Sequence, residues 1–342
     1  MATASPACSS TSVRPADPLN RETPAAALRH GLVTANADFY VRNHFAIPEL
    51  DAGRWRVRIG GLVKRPLRLG RQDLLELPAR SDMVTLECAG NGRSQLRPPV
   101  AGEQWGLGAV GTAEWTGVPL VDLLDQAGLR FGAKEVLFRG ADGFERSLTL
   151  EEARDPGILL AYAMNGRPLP AKHGSPLRVI VPGWYAVADV KWLVDVEVVG
   201  NSFSGHFQTS RYIYEWERAG EVAREPVRRQ RVRALITEPT SGDLLNAGAL
   251  AVRGLAWSGV APVARVEVSV NGEAWRAARL LGHPCGHCWQ RWELTVRAGR
   301  PGWTTIRARA TDAAGRTQPG RAEWNRLGYG INPIQEVSVR VE

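Results

Sequence analysis

Apolar and polar residues alternate along this chain in two different rhythms. From about residue 37 to residue 200 the pattern is mixed. RWRVRIGGLV (residues 54–63) alternates residue by residue and predicts a strand. RQDLLELPA (71–79) and PLVDLLDQAGL (119–129) repeat at three to four residues and predict short helices stopped by Pro or Gly. EVLFRGADG (135–143) and SPLRVIVPG (175–183) read as strands running into turns. Strands and helices do not alternate as a doubly wound sheet would require, so this half is expected to be a mixed α+β assembly.

Beyond the arginine-rich run REPVRRQRVR (224–233) the period becomes two. RVRALITEP, GALAVRGLAWS, ARVEVSVNGEAWRAARL, CWQRWELTVRAG, GWTTIRARATDAAGRTQ and IQEVSVRVE are separated by turn residues, among them the hairpin pair Asn271-Gly272. Six or seven short strands in roughly 110 residues predict an immunoglobulin-like β-sandwich. The expected division is a disordered tail over 1–35, a catalytic domain over 36–227 and a sandwich over 228–342. The arginine-rich run is expected to be a solvated boundary.

With 342 residues and 44% hydrophobic content, the chain is long enough for two domains with cores. No stretch approaches the roughly 20 apolar residues of a membrane helix. The first 35 residues show neither a signal-peptide core nor a twin-arginine motif, which predicts a cytoplasmic protein. Lys and Arg number 43 against 35 Asp and Glu, a net charge of +8, but the basic residues are spread out. That argues for a surface that attracts small anions rather than for nucleic-acid binding. Four cysteines, Cys8, Cys88, Cys285 and Cys288, make no disulfide framework in a chain this long and fit a reducing compartment.

Three segments hold the candidate chemistry. In LECAGNGRS (86–94), Cys88 offers a soft thiolate, Arg93 would favour its ionised form, and Gly90 and Gly92 let backbone N–H groups approach a ligand. The alternative is a buried structural cysteine before a turn. DFYVRNHFAIPEL (38–50) sets Arg42, Asn43 and His44 between aromatic residues. The stretch 171–198 places His173, Arg178 and Lys191 around a glycine-aromatic turn, a donor set suited to phosphate. In GHPCGHCWQRW (282–292), His283, Cys285, His287 and Cys288 have zinc-like spacing, but no second pair follows, so incidental surface thiols are expected.

Four motifs in order, YVRNH, ECAGNGR, HGSPLRVIVPG…VKW and WNRLGYGINPIQ, resemble those of the molybdopterin-dependent sulfite oxidase family from about Asp38 to the C-terminus. The resemblance implies molybdenum bound by Cys88 and by the dithiolene of one pyranopterin, with no haem in the chain. It implies cofactor contacts from Tyr40, Arg42, Asn43, His44, Asp142, His173, Arg178, Asp189 and Lys191. It further implies a substrate pocket of Arg42, Arg93, Trp105 and Tyr212. The activity implied is oxygen-atom transfer to sulfite, with electrons passed to a separate acceptor such as a cytochrome, in a homodimer joined through the second domain. Nitrate reduction and sulfane oxidation use the same cofactor and are alternatives, as is a scaffold with a vestigial pterin site. Three positions depart from the family pattern. Asp189 stands where animal relatives carry His, Gly92 stands where relatives carry a first arginine, and WNRLG puts Arg326 one place before the expected third substrate arginine, with Leu327 in its stead.

Overall fold

The computed structural model describes residues 18–29, 31–218, 221–298 and 301–342. Cys8 lies outside the described residues. The first half is built on two five-stranded sheets. One runs in the order Leu67–Leu69, Val57–Gly61, Leu193–Val199, Glu135–Gly140, Glu145–Thr149. The other runs Arg80–Glu87, Val110–Pro119, Leu159–Met164, Arg167–Pro168, with Arg178–Ile180 also paired to Leu159–Met164.

Helix is scarcer than the expected α+β mixture. The described α-helices are Arg71–Glu76, Leu120–Ala127, Leu150–Ala153 and His206–Thr209, so this half is mostly sheet. Leu120–Ala127 buries Leu120, Leu123, Leu124 and Ala127, the spacing of one helical face, and stops at Gly128 with φ 68°. Thr149 caps Leu150–Ala153 through Glu152 in a reciprocal capping box.

The second half consists of two sheets facing each other. Arg233–Glu238, Gly248–Trp257, Gln290–Ala298 and Arg279–Leu281 form one; Leu244–Leu245, Gln335–Val341, Gly302–Asp312, Val263–Val270 and Arg276–Ala277 form the other. Their inward residues, including Ile236, Val252 and Trp292 from one and Val268, Ile306 and Val339 from the other, share one core. Asn271 and Gly272 both adopt positive φ, as a type I′ hairpin requires.

Three sequence expectations are corrected by packing. Within the expected tail, residues 18–29 and 31–35 lie against the body, because Leu28 joins an apolar cluster with Val110, Leu235 and Trp257, and the Thr23 hydroxyl donates to the Val110 carbonyl at 2.7 Å. The arginine-rich run is only partly solvated: Arg224, Arg228 and Arg229 are exposed, Arg228 pairing with Glu152 at 2.6 Å, whereas Arg233 is buried against Glu87 at 3.4 Å. Finally, Cys285 and Cys288 are joined in a disulfide, and Cys288 is buried rather than a surface thiol.

The Glu87–Arg233 pair marks the seam between the halves. Glu87 accepts from the Trp257 indole at 2.8 Å and from the Asn91 amide at 3.0 Å. Burial pushes its pKa up, against the pull of Arg233 and those two donors.

Candidate active site

Strand Arg80–Glu87 runs into the core and delivers Cys88 at its end. Cys88 is 6% exposed; its N–H donates to Ala109 at 2.9 Å, and its carbonyl accepts from Asn91 at 2.9 Å. Burial raises the thiol above its ordinary pKa, while Arg42, the Gly90 N–H and Arg93 act to lower it. Among the described residues, no group of three or more His, Cys, Asp or Glu stands together as a metal site. At this place the described residues offer one free buried thiol rather than a protein-only cage.

Two cavities meet at this sulfur. Arg42, His44, Cys88 and Tyr212 line both. The first cavity is also lined by Tyr40, Asn43, Asp142, His173, Arg178, Asp189 and Lys191. The second adds Arg93 and Trp105, together with Glu103, His206, Arg211 and Tyr329. All the sequence-predicted site residues thus converge on one place.

The first cavity is cationic beyond what its own carboxylates neutralise. Arg178 is buried, donates to the carbonyls of His173 at 3.0 Å and Asp189 at 3.3 Å, and lies 4.9 Å over the Trp115 ring. Lys191 donates to the Arg42 carbonyl at 3.0 Å and to the Asn43 side chain, and sits 4.4 Å over Trp192. Burial, then Arg178 nearby, holds its pKa well below the ordinary lysine range. His173 donates Nε2–H to the Asn36 carbonyl at 3.1 Å, and burial takes its pKa to about 3. Asp142 accepts from the Phe144 N–H at 3.1 Å, and burial raises its pKa. Asn43 Nδ2, Arg178 Nε and Asp189 Oδ2 are buried without hydrogen-bond partners. Unsatisfied buried donors beside buried cations fit an anionic, hydrogen-bonding group such as a pterin with a phosphate tail.

Asp189 Oδ1 accepts from the Val181 N–H at 2.7 Å, and burial raises its pKa to about 7 despite Arg178. Because the folded value lies above the unfolded one near 3.9, the folded state holds a proton that the unfolded state releases. Stability from this group is therefore present at low pH and lost as pH rises from about 4 to 7. Asp189→Asn, which can keep the Val181 bond, is expected to flatten that slope in thermal melts of cofactor-free protein between pH 4 and 7.

An ordered relay links the cavities. Arg42 Nη2 lies 3.1 Å from His44 Nδ1, and a guanidinium can only donate, so Nδ1 accepts. Burial, with Arg42 and Lys191 nearby, lowers the His44 pKa to about 3, so the ring is neutral and carries its hydrogen on Nε2. That N–H donates to the Tyr212 hydroxyl at 2.7 Å, leaving the hydroxyl's own proton free to donate elsewhere. Tyr212 is held at φ 55° and stacked 4.7 Å from Tyr329. Burial raises its pKa, so it remains a donor.

Arg93 is placed by glycines. A Cβ on Gly90, Gly102 or Gly328 would stand within 2.9 Å of its guanidinium or Nε. In the space they leave, Arg93 donates to Glu103 O at 2.9 Å and Leu327 O at 3.2 Å and lies 5.0 Å over the Tyr329 ring. Arg93 Nε and Trp105 Nε1 are buried without partners. Gly92 has φ 84° and begins the turn Arg93–Gln95 in the left-handed conformation, where a side chain is strained. Arg326 points elsewhere: it pairs with Glu215 at 2.7 Å, its side chain 58% exposed. Arg211, His206 and Tyr329 line the second cavity without having been singled out in the sequence. Tyr329 sits within WNRLGYGINPIQ, and His206 and Arg211 sit in GHFQTSRYIYEW (205–216), the segment that carries Tyr212.

A single buried sulfur between a cationic slot and an arginine pocket defines a pterin-type oxidoreductase. Residues 44–207 match the oxidoreductase molybdopterin binding domain, and residues 224–342 match the Mo-co oxidoreductase dimerisation domain. The chain is 35% identical to mitochondrial sulfite oxidase of Mus musculus over 95% of its own length, spanning 64% of that protein. It is 34% identical to sulfite oxidase of Gallus gallus, covering 91% of this chain and 74% of that one. With the NAD(P)H nitrate reductase of Hordeum vulgare it shares 34% identity over 95% of this chain and 41% of the reductase. The solved sulfane dehydrogenase SoxCD from Paracoccus pantotrophus superposes with a TM-score of 0.85 at 29% identity, covering 96% of this chain and 87% of that one. The chain belongs to the molybdopterin-binding oxidoreductase family that includes the sulfite oxidases.

Proposed function

We propose that this protein oxidises sulfite to sulfate by oxygen-atom transfer. The observation that carries the reading is the meeting of the two cavities at Cys88, Arg42, His44 and Tyr212. Cys88 would hold molybdenum, and Tyr40, Arg42, Asn43, His44, Asp142, His173, Arg178, Asp189 and Lys191 of the first cavity would hold the pterin. When bound, the molybdenum cofactor supplies two-electron redox chemistry and the transferred oxygen. The second cavity binds the substrate anion.

The residues around that anion divide the work. Arg93, fixed in its glycine cradle, and Arg42, fixed by His44, present two positive charges. A unit pair 4 Å apart is worth about 1 kcal/mol in water but about 4 kcal/mol at an effective dielectric near 20, so a thinly hydrated pocket favours a small dianion. Tyr212 donates a hydrogen bond from its hydroxyl to an anion oxygen, and Trp105 adds its indole N–H. Electrons pass to a separate acceptor such as a cytochrome.

The catalytic unit spans residues 36–227. Residues 228–342 form an immunoglobulin-like dimerisation unit that makes the protein a homodimer, and the protein works in the cytoplasm. Steady-state assays of the purified holoenzyme with sulfite and several acceptors, with nitrate as the opposing substrate, test the reading. Sulfite turnover without nitrate reduction is expected, and the reverse would overturn it.

The arginines give a second test. Arg93→Lys removes the planar fork that spans Glu103 O and Leu327 O. Hydrogen bonds to charged groups contribute about 1.5–3 kcal/mol each, so losing one to the substrate anion is expected to lower kcat/KM for sulfite on the order of 10- to 100-fold, and the melting temperature is expected to fall because the bonds to the Glu103 and Leu327 carbonyls are lost as well. Arg326→Ala, which severs only the Glu215 pair, is expected to leave the kinetics as they are.

A further inference from the structure

The loop after Gly282 carries Cys-Gly-His-Cys and stands apart from both cavities. The Cys285–Cys288 disulfide closes across two residues only. Loop-closure stabilisation shrinks with loop length, so this bond restrains little of the chain, and stability is a poor account of it.

The two sulfurs have unlike surroundings. Cys285 is half-buried, whereas Cys288 is 6% exposed beside the fully buried Trp289. Gly286 between them has no atom within 4 Å of where a Cβ would stand, so the loop is open on that side. Backbone bonds hold the loop in place without help from the sulfurs. Thr85 N–H donates to His287 O at 2.9 Å, and Trp289 N–H donates to the Thr85 hydroxyl at 2.7 Å. Cys285 Sγ lies 3.8 Å from Met83 O. His287 and Val84 thereby pair along the open edge of strand Arg80–Glu87, the strand that ends at Cys88.

We propose that Cys285–Cys288 is a thiol–disulfide exchange site in which small thiols attack Cys285. Two cysteines two residues apart, one reachable and one covered, suit that chemistry. An external thiolate forms a bond to Cys285 Sγ as the Cys285–Cys288 bond breaks, and the electron pair leaves on Cys288 Sγ, which takes up a proton. A second external thiolate then attacks the sulfur of the first, releasing the external disulfide and Cys285 as a thiol. The protein disulfide gains two electrons, and two external thiols are oxidised. The site lies on a loop rather than at a helix N-terminus, so it responds to the surrounding thiol pool rather than driving it. It does so whatever the anion pocket takes as substrate.

The test uses the folded, full-length protein in graded mixtures of reduced and oxidised glutathione, followed by alkylation with iodoacetamide and peptide mass mapping. The pair is expected to open in reduced glutathione without denaturant, to gain one alkyl group on each cysteine and to close again in oxidised glutathione. Cys288→Ser in oxidised glutathione is expected to accumulate a glutathione adduct on Cys285, and Cys285→Ser to gain none on Cys288. A wild-type pair that stays closed in millimolar reduced glutathione until the protein is unfolded would overturn the proposal. So would equal adduct formation on the two cysteines. The wild-type titration stands alone if either variant fails to fold, and peptide mapping separates both cysteines from Cys88.

Discussion

Cys88→Ser is expected to give a folded protein that turns over sulfite no faster than the uncatalysed reaction. The substitution keeps the backbone bonds from Cys88 N–H to Ala109 and from Asn91 N–H to the residue-88 carbonyl, so the loop has no reason to move. What changes is the donor atom. Although burial raises its pKa, a thiol gives up its proton when a metal coordinates it and its thiolate is a soft ligand; a serine hydroxyl is far less acidic and offers only a hard oxygen. The result is read as molybdenum per protein by elemental analysis, sulfite turnover and melting temperature. Full wild-type turnover in the serine variant would remove Cys88 from the metal site.

The second large effect concerns stability. Arg233→Ala is expected to destabilise the protein by about 3–5 kcal/mol, because removing one member of a buried ion pair leaves the other charge unpaired. Glu87 is 1% exposed, and its remaining partners, Trp257 and Asn91, cannot replace a cation. Glu87→Gln should cost a comparable amount, since it leaves the buried Arg233 cation without its counter-charge. The double variant Glu87→Gln/Arg233→Met should recover part of the loss, which a thermal or urea unfolding cycle over the four proteins would show. If Arg233→Ala unfolds like wild type, the seam is not a buried ion pair in solution.

How far the molecule was legible in the sequence depended on the range of the interaction. Period-two strands such as residues 248–258 and 264–270 carry their structure in their own alternation, and the Asn271-Gly272 turn carries its hairpin in two residues. The convergence of YVRNH, ECAGNGR and VKW was legible because the motifs are short and arrive intact. Contacts made across the chain were not. Arg233 looks like any other member of an arginine run until Glu87, far away in sequence, is found against it. Arg326 looked available to the anion pocket because nothing near it in sequence announces Glu215. Nothing in the sequence around Gly102 and Gly328 announces the guanidinium from another segment for which they leave room. The Cys285–Cys288 spacing suggested metal or chance, because burial of one sulfur and exposure of the other is invisible in a string of letters.

The cradle of Arg93 also bears on how such proteins can be recombined. Its carbonyl at Leu327, its space at Gly328 and the ring of Tyr329 come from the second half, while Glu103, Gly90 and Gly102 come from the first. The placement of Arg93 is thus a joint inheritance. A chimera that takes its C-terminal half from a relative carries that relative's version of residues 327–329, and the setting of this arginine travels with the graft.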